Sequence, residues 1–332
     1  MKSTRLHAIL LLITAATGLT LTSAAAEQEP IQPLEVRKVF GNGKHNAFTA
    51  MRRFKGDLYL AFRAGDGHNS ATADVLVLKS KDGKDWKQVF KFDVAKDDRD
   101  PQMVVTDQKL YLYSPAMNGS ALDTWVITTE DGGKWSEPVK VYETQFILWK
   151  PIIHKGVFYS TAHKKDESSN GKGREVHFVK SADGIKWEKV STIRAGNWES
   201  ETTLYFDERD HATAFLRQKY GKPGAQVLES DAPYTEWKSR DAGVPHLSGH
   251  SVHTFNGVTY LLSRYPATGG RKFGSTIYTF ADGKLTRYCD MPSAGDCAYA
   301  EAVEDGANML VSYYSTHEDA TNIYLAVVPL KK

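Results

Sequence analysis

The sequence predicts an all-β protein whose strands form a six-bladed β-propeller of four-stranded antiparallel blades. One turn motif, Ser/Thr-x-Asp-Gly-x-x-Trp, occurs as SKDGKDW at 80–86, TEDGGKW at 129–135 and SADGIKW at 181–187. With a weaker copy that ends at Trp237, its tryptophans recur about every 50 residues, a period typical of propellers and solenoids. Apolar residues alternate with a period of two and are rich in aromatic and β-branched types, which favours strands over helices.

Each unit is expected to contain two hairpins, whose four strands we call A to D. The A–B hairpin has a tight turn, as in FKGDLYLAF at 54–62. The C–D hairpin is the repeated motif, in which the Ser or Thr hydroxyl and the Asp carboxylate bind turn amides while the Trp packs on its own sheet. These motif residues are therefore expected to be structural. The sixth unit, which ends at Lys332, lacks an outer strand, and LEVRKVF at 34–40 is expected to supply it.

The first residues predict export. Lys2 and Arg5 precede an apolar run at 6–21, and three alanines at 24–26 follow as a cleavage site. Residues 1–26 are therefore interpreted as a signal peptide and residues 27–332 as a single propeller domain in the periplasm or outside the cell. No later stretch predicts a membrane span. Without the leader the basic and acidic residues are equal in number, so no nucleic-acid partner is expected, because such a partner requires a basic surface. The oligomeric state is not predicted.

The chain contains two cysteines, Cys289 and Cys297. In an oxidising compartment such a pair favours a disulfide, which would close a short loop before a predicted strand A. Two buried free thiols are the alternative.

Strand alternation places the D–A and B–C connections on one face of the predicted disc, and a site at the axis must use that face. Arg63, Arg217 and Arg264 each end strand B of a blade, and His163 ends it in the third blade. Arginine suits bidentate carboxylate binding, so these three arginines are candidate substrate contacts. Ion pairs with acidic residues between blades are the alternative.

The repeated turns resemble the Asp-boxes, or BNR repeats, of the sialidase (neuraminidase) superfamily, whose members are six-bladed propellers. In the C-terminal half the resemblance extends to site residues. Glu201 and Arg217, in WESETTLYFDERDHATAFLRQ at 198–218, match a Glu and an Arg of the family. Arg271, in SRYPATGGRKFGSTIY at 263–278, matches a further Arg, and Tyr299 matches the nucleophilic Tyr of the last blade.

The resemblance implies a glycoside hydrolase in which Tyr299 attacks the sugar and Glu201 removes its proton, as a free phenol has a pKa of about 10. Arg217 and Arg271 would bind an anionic group of the substrate. A structural role for Tyr299 remains open. Trp198 and Glu199, next to Glu201 in the sequence, are candidate substrate contacts, with a Glu199–Arg ion pair as the alternative.

The N-terminal half departs from the family pattern in two places. The first arginine of the family's carboxylate-binding triad aligns with Asn46, which is retained as a candidate substrate contact. The family's acid/base aspartate aligns near Ser70, where Asp66 and His68 are the nearest candidates for an acid/base role. These departures bear on which sugar is bound and on which residue protonates the leaving group, and they leave the predicted fold unchanged.

HLSGHSVH at 246–253 contains three histidines, His246, His250 and His253. Residues three apart on a strand face opposite sides, so the three are not expected to hold a metal together. His250 is a candidate acid, base or sugar contact. No metal site and no cofactor are predicted.

Three functions remain open at this point. The first is an exported sialidase-like glycoside hydrolase acting on terminal sugars of acidic or decorated glycans. The second is a polysaccharide lyase on uronate polymers, with His68 or His250 acting together with Tyr299. The third is a propeller that binds glycan or protein without chemistry.

Overall fold

The computed structural model describes residues 29–164, 172–218, 224–266 and 273–331. Within these residues every regular element is a β-strand, and the strands form six antiparallel sheets. The first strand, β1 (Glu35–Phe40), belongs to a different sheet from the four strands that follow it in the chain. No helix of the described residues is long and apolar enough to cross a membrane.

The first three blades follow β1 in chain order. The first blade contains β2 (His45–Phe54), β3 (Asp57–Gly65), β4 (Asp74–Ser80) and β5 (Lys87–Phe92). The second contains β7 (Gln102–Val105), β8 (Leu110–Asn118), β9 (Ala121–Thr129) and β10 (Val139–Val141), and the short β6 (Asp97–Asp98) also pairs with β8. The third contains β11 (Phe146–His154), β12 (Val157–Lys164), β13 (Glu175–Ser181) and β14 (Trp187–Ala195).

The last three blades repeat this A-to-D order. The fourth contains β15 (Thr202–Phe206), β16 (Ala212–Leu216), β17 (Gln226–Ser230) and β18 (Lys238–Asp241). The fifth contains β19 (Ser251–Phe255), β20 (Val258–Pro266), β21 (Phe273–Ala281) and β22 (Lys284–Met291). The sixth contains β23 (Cys297–Asp305), β24 (Asn308–Ser315) and β25 (Asn322–Pro329). The predicted six-bladed propeller of four-stranded antiparallel blades is confirmed.

The outer strand of the sixth blade comes from the other end of the chain. β1 pairs with β25 in antiparallel register, from Glu35 opposite Val327 to Lys38 opposite Tyr324. This is the role predicted for LEVRKVF. The pairing covers the edge that β25 would otherwise expose and closes the ring.

The C–D turns use the hydrogen bonds expected from their sequence. In the first blade the Gly83 amide donates to Ser80 Oγ at 3.0 Å, and the Lys84 amide donates to Asp82 Oδ1 at 2.9 Å. Trp86 Nε1 donates to the Gly83 carbonyl at 3.0 Å. The turns of the second and third blades repeat the Ser/Thr and Asp bonds. The motif therefore closes its own hairpin, and it contributes no residue to the cavity described below.

The same turns also join neighbouring blades. Gly132, in the turn of the second blade, has a φ of 75°, and a Cβ placed there would lie 1.7 Å from Tyr59 Oη of the first blade. In the third blade the carbonyl of Gly184 accepts a hydrogen bond of 2.7 Å from Tyr113 of the second. Glycine is needed at 132 both for its backbone conformation and for this close approach.

The buried core lies between adjacent blades. One apolar cluster joins Phe54 and Tyr59 of the first blade with Leu112 and Ile127 of the second, and similar clusters follow between the later blades. Packing of each sheet against the next fixes the strands A around the axis, where the cavity described below opens.

The predicted disulfide is wrong. Cys289 and Cys297, both within the described residues, are buried free thiols. Cys289 packs in the apolar cluster between the fifth and sixth blades, and burial raises the pKa of its thiol to about 12. Closeness in sequence misled the prediction, because Cys289 lies on the outer strand of one blade and Cys297 begins the inner strand of the next.

Candidate functional site

A cavity of about 370 Å³ opens on the face formed by the D–A and B–C connections, the face predicted for a site. Its volume lies within the range of about 300–1,000 Å³ typical of small-molecule sites. The first four blades supply its walls. Its charged and titratable lining consists of Arg99, Arg174 and Arg217, the carboxylates Asp100 and Glu201, and the imidazoles His68 and His163.

Tyr299 is positioned by a bulge in the inner strand of the sixth blade. The register of β23 against β24 shifts between Ala298 and Glu301, and Tyr299 has a φ of 48°. The inner strands of the first and third blades carry matching bulges, with positive φ at Phe48 and Lys150. Bulges of this kind re-aim side chains next to functional sites.

The Tyr299 side chain meets Glu201 across the propeller. Tyr299 Oη donates a hydrogen bond of 2.6 Å to Glu201 Oε1. Glu201 lines the cavity, whereas Tyr299 is 8% exposed and lies outside the lining, packed against Phe48 and Trp149. The pair predicted from the family resemblance is therefore formed, with its carboxylate facing the cavity.

Glu201 is held as an anion. Burial raises the pKa of its carboxyl, but the Arg217 guanidinium, the Tyr299 hydroxyl and the Gly249 amide lower it more, to about 2. Arg217 Nη1 donates to Oε1, and the Gly249 amide donates to Oε2 at 2.6 Å. Gly249 has no Cβ to collide with the Tyr299 ring, whose nearest atom would lie 2.4 Å away.

The phenol of Tyr299 is held neutral. Burial, followed by the negative charge of Glu201, raises its pKa well above the ordinary value of 10. A neutral phenol is a weak nucleophile, so any attack by Tyr299 requires transfer of its proton during the reaction. Glu201 is the base within hydrogen-bond reach.

Asp100 is a site residue that sequence reasoning missed. Its Oδ1 is buried without a hydrogen-bond partner, and burial raises the pKa of the carboxyl. Asp100 has a φ of 38° and precedes Pro101, and it lines the cavity whereas its neighbours Asp97 and Asp98 do not. Asp97 pairs instead with Arg63, and Asp98 accepts the Val94 amide.

Two arginines of the cavity were also not predicted. Arg99 Nη1 donates to Asn69 Oδ1 at 3.2 Å, and its Nη2 donates to the His68 carbonyl at 3.1 Å. The Arg174 guanidinium lies 5.6 Å from the centre of the Trp198 ring. Each arginine stands alone in a polar connection between strands. Nothing in the sequence there distinguishes it from an ordinary charged residue of the surface.

Some predicted residues do come together at the cavity. Glu201, Arg217, Trp198 and His68 all line it, and Tyr299 reaches Glu201. His68 is 53% exposed, and its Nδ1 lies 2.7 Å from Asp296 Oδ2. The catalytic and binding roles of these residues stay predictions.

Other candidates are buried away from the cavity. Arg63 is fully buried, with Nε donating to Asp97 Oδ1 at 2.8 Å. Asn46 Nδ2 donates to the Thr321 carbonyl at 3.2 Å, and Glu199 accepts the Asn197 amide. His250 Nε2 lies 2.7 Å from the Phe215 carbonyl, and burial lowers its pKa to about 4.

The remaining candidates lie at the rim or outside the described residues. Asp66 is 65% exposed and pairs with Lys44 at 2.8 Å. Arg264 donates to Asp296 Oδ1 at 3.1 Å, so the three predicted strand-B arginines do not form one anion-binding group. Arg271 lies outside the described residues.

Comparison with solved structures places this architecture among known propellers. A protein of unknown function from Dyadobacter fermentans superposes with a TM-score of 0.78 at 19% identity, over 90% of this chain and 99% of that chain. A Trypanosoma rangeli sialidase in complex with sialic acid gives a TM-score of 0.70 at 14% identity, over 90% of this chain and 60% of that one. The fold is that of a sialidase-like propeller.

The same propeller fold occurs in a second glycan-acting protein. A Penicillium chrysogenum α-L-arabinanase complexed with arabinobiose gives a TM-score of 0.70 at 12% identity, over 91% of this chain and 99% of that chain. The present chain spans about three fifths of the Trypanosoma sialidase. No family model and no curated protein matches the sequence. At these identities the likeness shows the fold alone.

Proposed function

We propose that this protein is an exported glycoside hydrolase that removes a terminal, negatively charged sugar from a glycan. The observation that carries the proposal is the hydrogen bond of 2.6 Å between Tyr299 Oη and Glu201 Oε1 at the cavity. A neutral tyrosine against an anionic base is a nucleophile suited to an anionic sugar, because it brings no charge repulsion to the attack. Export is proposed from the signal peptide that the sequence predicts at residues 1–26.

The reaction divides into two steps with defined proton transfers. Tyr299 Oη attacks the anomeric carbon while Glu201 accepts the phenolic proton. The glycosidic C–O bond breaks, and its oxygen takes the electron pair and a proton from Asp100. Water then attacks the glycosyl–tyrosine intermediate, giving its proton to Asp100, while Glu201 returns a proton to the tyrosine oxygen.

Asp100 fits the acid role better than Asp66 does. A general acid must be protonated before reaction, and burial raises the pKa of the Asp100 carboxyl, with a further contribution from the negative charge of Glu201 that acts against the lowering effect of Arg99. Asp66 is exposed, and its bond to Lys44 lowers the pKa of its carboxyl. The acid is therefore assigned to the connection between the first two blades.

The cations of the cavity support an anionic sugar. Arg99, Arg174 and Arg217 line a space that also contains two carboxylates, and arginine pairs with sugar carboxylates through two parallel N–H bonds. The sialidase with bound sialic acid and the arabinanase with bound arabinobiose are precedents for sugar binding by this fold.

The proposal is tested by hydrolysis of a panel of chromogenic sialosides, uronides and neutral glycosides. Tyr299→Phe should reduce release from the preferred substrate at least about 10³-fold, because the nucleophile is lost. Tyr313→Phe is the matched control, since this buried tyrosine of the same blade donates to the Pro292 carbonyl instead. Activity equal in Tyr299→Phe and wild type would exclude the mechanism.

An absence of release from every glycoside would also contradict the hydrolase. Uronate polymers assayed for ultraviolet absorption would then test lyase activity, and ligand affinity unchanged by Tyr299→Phe would indicate a binding propeller. Preference for neutral over anionic sugars would agree with a glycoside hydrolase but would exclude an anionic sugar as its substrate.

A further inference from the structure

A second constellation of polar residues lies where the first and sixth blades meet. His45 begins β2, His68 lies in the connection between β3 and β4, and Asp296 immediately precedes β23. His45 Nε2 lies 2.9 Å from Asp296 Oδ2, and His68 Nδ1 lies 2.7 Å from the same oxygen. All three atoms lie within 4.8 Å of one another.

We propose that His45, His68 and Asp296 form a binding site for a divalent transition-metal ion of the zinc type. Two imidazole nitrogens and one carboxylate oxygen are a ligand set that zinc takes in catalytic sites, where a fourth position stays open. Zinc–nitrogen and zinc–oxygen bonds measure about 2.0–2.2 Å, so ligand atoms around one ion are separated by no more than about 4.4 Å. Around a tetrahedral ion the ligand atoms lie about 3.4 Å apart, so each histidine nitrogen would have to move away from Asp296 Oδ2 by less than about 1 Å.

The carboxylate is already oriented for such an ion. Asp296 Oδ1 accepts hydrogen bonds from Arg264 Nη2 at 3.1 Å and from Tyr314 Oη at 2.9 Å, which leaves Oδ2 to the two histidines. Arg264 is itself anchored by a bond of 2.7 Å from Nε to the Cys297 carbonyl. Hydrogen bonds on the outer oxygen of a ligating carboxylate are a common feature of metal sites.

The two histidines differ in their freedom. His45 is largely buried, and its ring lies 6.3 Å from that of Phe48 and 6.4 Å from that of Tyr314. His68 is half-exposed, but Arg99 holds its backbone carbonyl. One ligand is therefore rigid, and the other can adjust as an ion enters.

The nearby positive charge selects the class of ion. Arg264 neutralises much of the Asp296 charge, which disfavours Ca²⁺ and Mg²⁺ because these ions depend on anionic oxygen ligands. Imidazole nitrogen suits zinc, copper, nickel and iron. The two histidines thus supply most of the affinity.

The site adjoins the cavity without sharing its acid–base pair. His68 also lines the cavity, so an ion held by this residue would lie next to the cavity, where a hydroxyl or carboxylate oxygen of a ligand could complete its coordination. Metal binding goes beyond the proposed hydrolysis, and it can be present or absent whatever reaction the cavity performs.

The test is metal binding by the full chain after treatment with a chelator. Titration calorimetry with Zn²⁺ should show one site per chain, and Co²⁺ should give visible absorption bands of low coordination number. His68→Ala, an exposed position that leaves the core intact, should weaken Zn²⁺ binding by at least about tenfold. His211→Ala is the matched control, because His211 pairs with Asp231 at 2.7 Å on the fourth blade and belongs to no group of three possible metal ligands among the described residues.

Asp296→Asn provides a second variant that retains the shape of the side chain and should also weaken binding. Circular dichroism establishes that each variant is folded before titration. Failure of wild-type protein to bind stoichiometric Zn²⁺ would overturn the proposal. Equal affinity in His68→Ala and wild type would overturn it as well, because the ion would then lie elsewhere.

Discussion

Tyr299 and Glu201 are 98 residues apart in the chain, yet Tyr299 Oη and Glu201 Oε1 share a hydrogen bond of 2.6 Å. One residue comes from a bulge in the sixth blade and the other from the entry to the fourth. The contact couples a phenol whose pKa is raised to a carboxylate whose pKa is lowered, so the proton rests on the tyrosine until a reaction removes it.

Asp100→Asn should slow hydrolysis by about 10²-fold or more for glycosides with poor leaving groups, since these require protonation of the departing oxygen. Aryl glycosides with acidic phenols should be affected much less. Steady-state kinetics over a series of leaving groups measures the difference. Asp66→Asn, in the exposed pair with Lys44, is the control expected to leave this dependence unchanged. If Asp66→Asn alone steepens it, the acid has been assigned to the wrong residue.

Glu201→Gln should lower stability in a pH-dependent way. The folded-state pKa of Glu201, about 2, lies below its ordinary value of 4.5, so ionisation stabilises the fold above pH 4.5 and this contribution is lost as pH falls towards 2. The difference corresponds to about 3 kcal/mol at neutral pH. Urea unfolding at pH 7, 5 and 3 should show the gap between wild type and variant narrowing at the lowest pH.

The matched control for that experiment is Glu229→Gln, which removes a half-buried pair with Arg240 on the fourth blade. Its cost should stay below about 1 kcal/mol. A gap for Glu201→Gln that is constant over the whole pH range would show that the carboxylate is not specifically stabilised in the folded state.

Arg174→Gln should raise the KM for anionic glycosides by at least about tenfold, with little change for neutral ones, because a charge-assisted hydrogen bond contributes about 1.5–3 kcal/mol. The guanidinium lines the cavity beside Trp198. Arg240→Gln removes an equal charge from an outer strand and should change neither KM. Equal increases in KM for charged and neutral substrates would indicate that the substitution changes the shape of the cavity rather than removing a contact to a charge.

Gly132→Ala should destabilise the propeller more than Gly119→Ala. Both positions have positive φ, which costs a Cβ-bearing residue about 1–2 kcal/mol. Only at Gly132 would the new methyl collide with Tyr59, adding about 1–3 kcal/mol of overpacking, whereas nothing lies within 4 Å of a Cβ at Gly119. Denaturant midpoints measure both costs, and equal values would contradict the blade-joining role of the turn.

The repeat explains why the fold was predictable. Turn residues and strand alternation are local properties, and their period sets the number of blades and the face on which the connections lie. The closing strand at 34–40 was predictable for the same reason, since one outer strand was missing from the count. The Tyr299–Glu201 pair came from the family resemblance rather than from any local rule.

Side-chain direction at irregular backbone was not predictable. Asp97, Asp98 and Asp100 stand close together in sequence, yet only Asp100, which has a positive φ and precedes Pro101, lines the cavity. Arg63 ends a strand B as expected, but a single acidic partner, Asp97, holds it in the core. Such outcomes depend on long-range partners that the period does not specify.

The pairing of β1 with β25 also constrains how the molecule is made. Strands at 35–40 and 322–329 contact each other across nearly the whole chain, so the ring cannot close until the last strand is available to fold. Contacts at such separation are slow to form. Until β1 docks, β25 presents an open strand edge of the kind that favours pairing between chains, so closure by β1 also protects the protein from association.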